Sequence, residues 1–214
     1  MNGINTNIIL SIYKSRNTIL EFMKEQNYDT TDYEDFSINE IDAMYVNSQL
    51  DLLLSHENEK KKIYIKYYFS LKQTTKQIRP ANLDNIIEDL YYIDNVLNKN
   101  DTLIIIIDEE PNDTIIKRMK YLYETDGIFV VIHNIKRLQF NIFEHSLIPK
   151  VKILTGNEVD EIKTKLNLKS LSQLPEISRF DPLALAMNMR PKQVAKFVRS
   201  SPTALNSTYY RICI

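Results

Sequence analysis

Glu59-Lys60-Lys61 has the glutamate-x-lysine form of many metal-dependent nucleases, and Asp35, Asp42 or Asp51 would supply the second carboxylate that a divalent metal needs. In a chain with 26% charged residues such triplets also arise by chance, and Asp35 to Asp51 reads as loop and helix, not as the neighbouring strands of a nuclease sheet. A second group is cationic. From Pro182 to Ile214 the chain carries Arg190, Lys192, Lys196, Arg199 and Arg211 and no acidic side chain, so it offers forked guanidinium donors to carboxylates or to phosphate. The structural alternative is a solvated surface, or pairing of Arg199 and Arg211 with Asp181 or with backbone carbonyls. His56, His133 and His145 show no metal-ligand spacing, and no metal is expected. Cys213 is the single cysteine, which excludes an internal disulfide and a Cys-based zinc site.

Those residues must be positioned by elements that the hydrophobic pattern announces. Ile9, Ile12, Tyr13, Leu20 and Met23 predict an amphipathic helix ending near Asn27. Ser37 with Glu40 is a capping-box pair that opens a second helix through Ile41, Met44 and Tyr45. Residues 63–69 alternate as a strand. Helical spacing returns over 82–97, followed by a β-branched run, Leu103 to Ile107, of buried-strand type. Asp113 is expected to cap a helix through Leu122, and Gly127 to break the chain before a buried strand, Ile128 to Ile132. Helix and strand alternate here, which predicts an α/β layer with a mixed, partly parallel sheet. Leu138, Phe140 and Ile142 then alternate as a strand. Thr155 with Glu158 opens a short helix, Asp181 followed by Pro182 opens another through Met187, and Val194 to Val198 and Thr208 to Ile214 read as paired strands. The expected class is α+β overall, with an N-terminal α/β domain over 1–143 and a small C-terminal α+β domain over 144–214.

Charge bounds the function further. Twenty-seven Lys plus Arg against 28 Asp plus Glu give a formal charge of −1, so a free DNA-binding factor held by a global basic field is disfavoured. Nine acids and no Lys or Arg lie between Asp29 and Glu59, a stretch that faces water or a basic partner. No apolar run is long enough for a membrane span, and an intracellular, soluble protein is expected. Only three glycines occur, and Asn, Ile, Lys and Tyr are abundant, as AT-rich codons produce.

The C-terminal residues also carry a pattern. Leu174-Pro175, Asp181-Pro182-Leu183-Ala184, Gln193-Val194, Arg199-Ser200-Ser201-Pro202-Thr203-Ala204 and Tyr210-Arg211-Ile212-Cys213 stand in order and spacing without a gap. Together they resemble the assembly domain of the common fifth subunit of eukaryotic-type DNA-directed RNA polymerases, a family that also has an archaeal counterpart. The stretch from Phe140 to Pro149 resembles the segment that leads into that domain. More weakly, Tyr13 to Thr18 and Asn27-Tyr28 resemble the first helix of the eukaryotic jaw domain, which the archaeal counterpart lacks. The sequence departs from the pattern at Asn188, Lys192 and Leu205, which replace glycine, and at Ser200, which replaces proline. Those turns are expected to be rebuilt, although Asn188 can keep a left-handed backbone.

The resemblance implies a non-catalytic polymerase subunit with no cofactor and no small-molecule substrate. It docks on the largest subunit, among other polymerase subunits, and its jaw lies near downstream double-stranded DNA. The implied docking residues are Pro175, Asp181, Pro182, Gln193, Arg199, Thr203, Tyr210 and Arg211. The implied DNA-proximal residues are Pro111, Asn112, Thr114 and Lys117. In His145 the resemblance implies a structural hydrogen-bonding role. Lost glycines and AT-type composition together point to a large DNA virus encoding its own polymerase, hence to the virion and cytoplasmic viral factory, or to the nucleus if the chain is cellular.

Overall fold

The computed structural model describes residues 3–69 and 78–214. The chain divides into two compact units, Met1–Phe140 and Asn141–Ile214. Among the described residues, no helix is long and apolar enough to cross a membrane.

In the first unit, helix α1 (Gly3–Glu25) buries Ile12, Ile19, Phe22 and Met23 on one stripe and stops where Asn27 turns left-handed, at φ 61°. Arg16 lies on the same stripe and is 2% exposed. Its guanidinium sits over the rings of Tyr33 and Phe36, at 5.8 and 5.2 Å, and donates 3.1 Å to the Leu50 carbonyl. Burial holds its pKa below the usual value, yet ring faces and a carbonyl are what a delocalised cation can use in place of water. Helix α2 (Ile38–Val46) opens on the expected capping box between Ser37 and Glu40.

The unit's sheet runs β1 (Leu52–Ser55), β2 (Lys62–Tyr67), β3 (Thr102–Ile107), β4 (Phe129–Asn134) in spatial order. The β1/β2 pair is antiparallel and the other two pairs are parallel, so the sheet is mixed. All twelve residues of β3 and β4 are buried, as a layer covered on both faces requires. Asp101, 2% exposed, fixes the start of this pairing by accepting from the amides of Lys62 (2.7 Å) and Asn98 (2.6 Å).

Three expectations are corrected. The helical pattern over 82–97 begins as α3 (Pro80–Ile87), continues as a π-helical turn, Glu88–Ile93, and ends before Asn95 at φ 51°. Leu97 is therefore buried from outside the helix, its amide bonded to Leu90 O. The cap of α4 (Asp113–Asp126) is Asn112, not Asp113. The alternation of Leu138, Phe140 and Ile142 forms no strand; 3-10 turns occupy Ile135–Leu138 and Ile142–Glu144. The side chains of Asn134 and Asn141 accept from the amides of Lys136 and Phe143, and these local bonds replace a ladder.

The second unit holds a four-stranded sheet in the order β5 (Lys150–Ile153), β7 (Val194–Ser201), β8 (Leu205–Cys213), β6 (Glu176–Ile177). Helix α5 (Gly156–Lys165) follows β5 on the predicted Thr155/Glu158 box, and α6 (Pro182–Ala186) precedes β7. Lys152 and the Thr155 amide together hold the Glu158 carboxyl down to about 2. Ile177, Leu183, Ala184, Met189, Ala195, Phe197 and Cys213 form the core, and burial pushes the Cys213 thiol up to about 11. Both units combine helices with sheet, so the class is α+β.

His133, buried in β4, carries a testable consequence. Burial, reinforced by the charge of Arg137, lowers its pKa to about 4, whereas the unfolded chain titrates near 6.5. Below that value the unfolded state binds a proton that the folded state refuses, so stability is full above pH ~6.5 and falls as pH drops toward 4. Urea unfolding at pH 7 and pH 4.5 is expected to differ by about 2–3 kcal/mol from this group, and His133→Gln to flatten that difference.

Candidate docking surface

The singled-out C-terminal residues divide into those that build the unit and those that face outward. Asp181 belongs to the first kind: its Oδ1 accepts from the Leu183 amide at 2.9 Å, capping α6 with Pro182 at the first helical position. Its carboxylate is thereby committed to the backbone, and neither Arg199 nor Arg211 is bonded to it. Gln193 is also internal, its Oε1 accepting from the Arg190 amide at 2.7 Å to close the turn before β7. Pro175 has an exposed ring, but its carbonyl accepts from Ile212 N at 2.9 Å, and as a proline it adds no donor to the ladder.

Arg199, Thr203, Tyr210 and Arg211 lie on the β7/β8 hairpin. Thr203 is exposed at the tip, its hydroxyl 3.3 Å from that of Ser201. Register pairs Phe197 with Tyr209 and Ala195 with Arg211, so Arg199, Tyr209 and Arg211 share the face of the core residues and Tyr210 points to the other. The Tyr209 ring stacks on Phe197 (centroids 5.0 Å, planes 8° apart) and receives the guanidiniums of Arg199 and Arg211 at 5.7 and 5.8 Å. Arg199 is exposed; Arg211 is half-buried and gives one N–H to the Glu176 carbonyl at 3.1 Å. Of the alternatives open for Arg211, the backbone carbonyl is therefore realised. Sequence reasoning missed Tyr209, which counting outward from the hairpin tip would have found opposite Phe197. It also missed Arg179, 4% exposed and lying over the Phe180 ring at 5.2 Å, for which periodicity gave no signal.

In the first unit, Asn112 Oδ1 accepts from Ile115 N at 3.0 Å, and Asn112, Thr114 and Lys117 are exposed while Pro111 is half-buried. Thr114 and Lys117 are three residues apart on α4 and share a face. The loop before them is mixed in charge: Glu110 accepts from Arg137 (3.0 Å) and Asn134 (3.2 Å), and Lys136 lies 3.9 Å from Asp108. The nuclease candidates do not converge. Glu59 pairs with Lys61 in the turn after β1, while Asp51 stands before β1 and accepts from Tyr64 Oη (3.0 Å), Lys66 Nζ (3.0 Å) and Tyr67 N (3.1 Å). A four-residue strand separates them, roughly 13 Å of extended chain. His56 and His145 accept backbone amides through Nδ1, from Asn58 and Glu59 and from Leu147.

Comparison with known proteins picks out the second unit. The model of the RNA polymerase Rpb5 C-terminal domain matches residues 140–213. The chain is 40% identical over 76 residues to DNA-directed RNA polymerase subunit Rpo5 of Thermococcus kodakarensis, covering 36% of this chain and 92% of that protein. The chain belongs to the Rpb5 family. Subunit Rpo5 of Methanococcus maripaludis is 41% identical over 70 residues, 88% of its length. Subunit RPABC1 of DNA-directed RNA polymerases I, II, and III from Caenorhabditis elegans is 39% identical over 77 residues, which cover 36% of each chain.

Three backbone positions in the second unit stand out. Asn188, Lys192 and Leu205, the residues standing in place of glycine, adopt φ values of 51°, 72° and 53°. All three positions thus carry the left-handed backbone that glycine favours, Lys192 and Leu205 as well as Asn188. Asn188 ends α6, with Met189 N returning to Ala184 O, and Lys192 N reaches Cys213 O at 2.8 Å. Leu205, the first residue of β8, pairs with Ser201 across the Pro202–Ala204 connection and takes up the hairpin's reversal with its left-handed backbone.

A Cβ in this region is strained, by roughly 1–2 kcal/mol before the entropy of a glycine is counted against it. Leu205→Gly and Lys192→Gly are each expected to raise the unfolding free energy by about 0.5–1 kcal/mol, measured by denaturant titration. In the same assay Asp181→Ala is expected to lower it by about 1 kcal/mol through loss of the cap, and Asp181→Asn to leave it nearly unchanged.

Proposed function

We propose that this chain is a non-catalytic, structural subunit of a multisubunit DNA-dependent RNA polymerase. Its second unit docks on the largest subunit, and its first unit is a jaw near downstream duplex DNA. The observation that carries this reading is the Rpb5-family match across residues 140–213, the whole of the second unit but its last residue.

The surface also suits assembly. The second unit has eleven Lys plus Arg against six Asp plus Glu, a net charge of +5, and Arg199 and Arg211 keep guanidinium donors for partner carboxylates. In the jaw, exposed Thr114 and Lys117 suit a few sequence-independent phosphate contacts, while the neighbouring Asp108 and Glu110 keep that surface from holding DNA unaided. The low glycine content and AT-type composition support a polymerase encoded by a large DNA virus, with the virion and the cytoplasmic factory as its place of action.

Affinity purification of the tagged chain from the organism that encodes it tests the reading. The intact chain is expected to bring down the two largest polymerase subunits in stoichiometric amount, and a version ending at Phe143 to bring down neither. If the intact chain recovers no polymerase subunit, the proposal fails.

A further inference from the structure

The β7/β8 hairpin extends beyond the rest of its sheet. On one side β5 reaches only as far as Val198, and on the other β6 pairs only with Ile212 and Cys213. Leu205–Arg211 are therefore paired on the β7 side alone, and Arg199–Ser201 on the β8 side alone. The ladder shows which way their backbone groups point. Ile212 and Ile214 donate toward the β6 segment, to Pro175 O and Ile177 O, whereas Cys213 donates toward the β7 segment, to Gln193 O. The pairing from Val194↔Ile212 to Ser201↔Leu205 is regular, so the alternation continues, and the N–H and C=O of Thr208 and Tyr210 are aimed outward past the end of β6. Upstream of Pro175 the chain leaves the ladder in the 3-10 turn Leu171–Gln173, and no partner meets those amides among the described residues.

Soluble proteins protect an open edge with charge, proline or a bulge. None of these guards this one. Leu205-Asn206-Ser207-Thr208-Tyr209-Tyr210 contains no charged residue and no proline, its pairing has no bulge, and Leu205 at its start is 86% exposed. A second copy of this chain is a poor occupant, because the unit's net charge of +5 would meet itself. An extended segment bearing carboxylates is a good one, because Arg211 borders the edge, engaged with Tyr209 and giving only one N–H to Glu176, and Arg199 lies on the same face.

We propose that the outer edge of β8, from Asn206 to Tyr210, receives an extended acidic segment of the polymerase as an added strand in line with β6. Main-chain hydrogen bonds to Thr208 and Tyr210 supply the register, and Arg211 selects a carboxylate on the face it shares with Tyr209. This rests on the subunit reading given above and specifies where that subunit is held.

Thr208→Pro separates the two. Its N–H points outward, so proline removes no bond to β7 but blocks an incoming strand. The full-length wild-type chain, Thr208→Pro and Arg211→Glu are purified through a tag from the organism that encodes the protein, at 0.1 and 0.5 M salt. The expected result is at least a tenfold loss of the largest polymerase subunit with Thr208→Pro at both salts, and with Arg211→Glu a loss of similar size, while the melting temperature of Thr208→Pro stays within a few degrees of wild type. Hydrogen exchange on the wild-type complex gives a readout independent of folding in the variants. The amides of Thr208 and Tyr210, fast in the free chain, are expected to become protected. If wild type recovers the polymerase, but the variants do so equally or those amides stay fast in the complex, the edge proposal is overturned and the subunit reading stands. If wild type recovers no polymerase, both fall. Protection of those amides in the purified chain alone, rising with its concentration, would assign the edge to self-pairing and overturn the proposal.

Discussion

What the C-terminal unit can offer another molecule depends on where the backbone of β8 sends its hydrogen bonds. The strand lies between β7 and β6, and alternate residues serve the two neighbours. Because Pro175 opens the short β6 without a donor, the outer ladder is only two residues long, and the remainder of β8 is held from one side. The same alternation sets the side chains: Tyr209, Arg211 and Cys213 turn toward the core face, Tyr210 and Ile212 away from it. The Phe197–Tyr209 stack, the two guanidiniums on that ring and the buried thiol of Cys213 follow from a single register, and slipping it by one residue would exchange the faces.

The first unit is organised by burial on both faces of β3 and β4, which leaves polar side chains a place only at the ends of those strands. Asp101 sits at one end, holding the amides of Lys62 and Asn98, and Asn134 at the other, bridging to Glu110 and Lys136. Arg16 plays the corresponding part for α1, tying the helix to Tyr33, Phe36 and the Leu50 carbonyl. Asp101 and Asn134 have fixed partners in place of water, and Arg16 has two ring faces and one carbonyl, which is what tolerating a polar group in an apolar layer requires.

Much of this is legible in the residues. The Ser37/Glu40 and Thr155/Glu158 boxes and the Asp181-Pro182 start can be read directly because each is a local interaction between neighbours in sequence. The β-branched runs of β3 and β4 are legible for the same reason. The strand β1, only four residues long, gives too short a pattern, and the alternation at Leu138 to Ile142 misleads because two asparagine side chains outcompete a ladder that has no partner strand. At the candidate surface, the residue types point to the hairpin, but not to the division of labour within it. That Asp181 and Gln193 are consumed by the backbone while Arg199 remains exposed depends on turn geometry that residue types do not encode.

The central position of β8 also fixes an order of events during synthesis. β5 reaches its partner more than forty residues later, and β6 pairs with a strand about 35 residues downstream, so neither has an edge to join until β7 and β8 have been made. The sheet of the first unit closes once β4 is complete, since β3, the strand it pairs with, already lies in the growing chain beside β2. On the ribosome the N-terminal unit can thus fold while the C-terminal one is still an open strand and two helices, and the β7/β8 hairpin, the most local contact of the second sheet, is the step that lets it close.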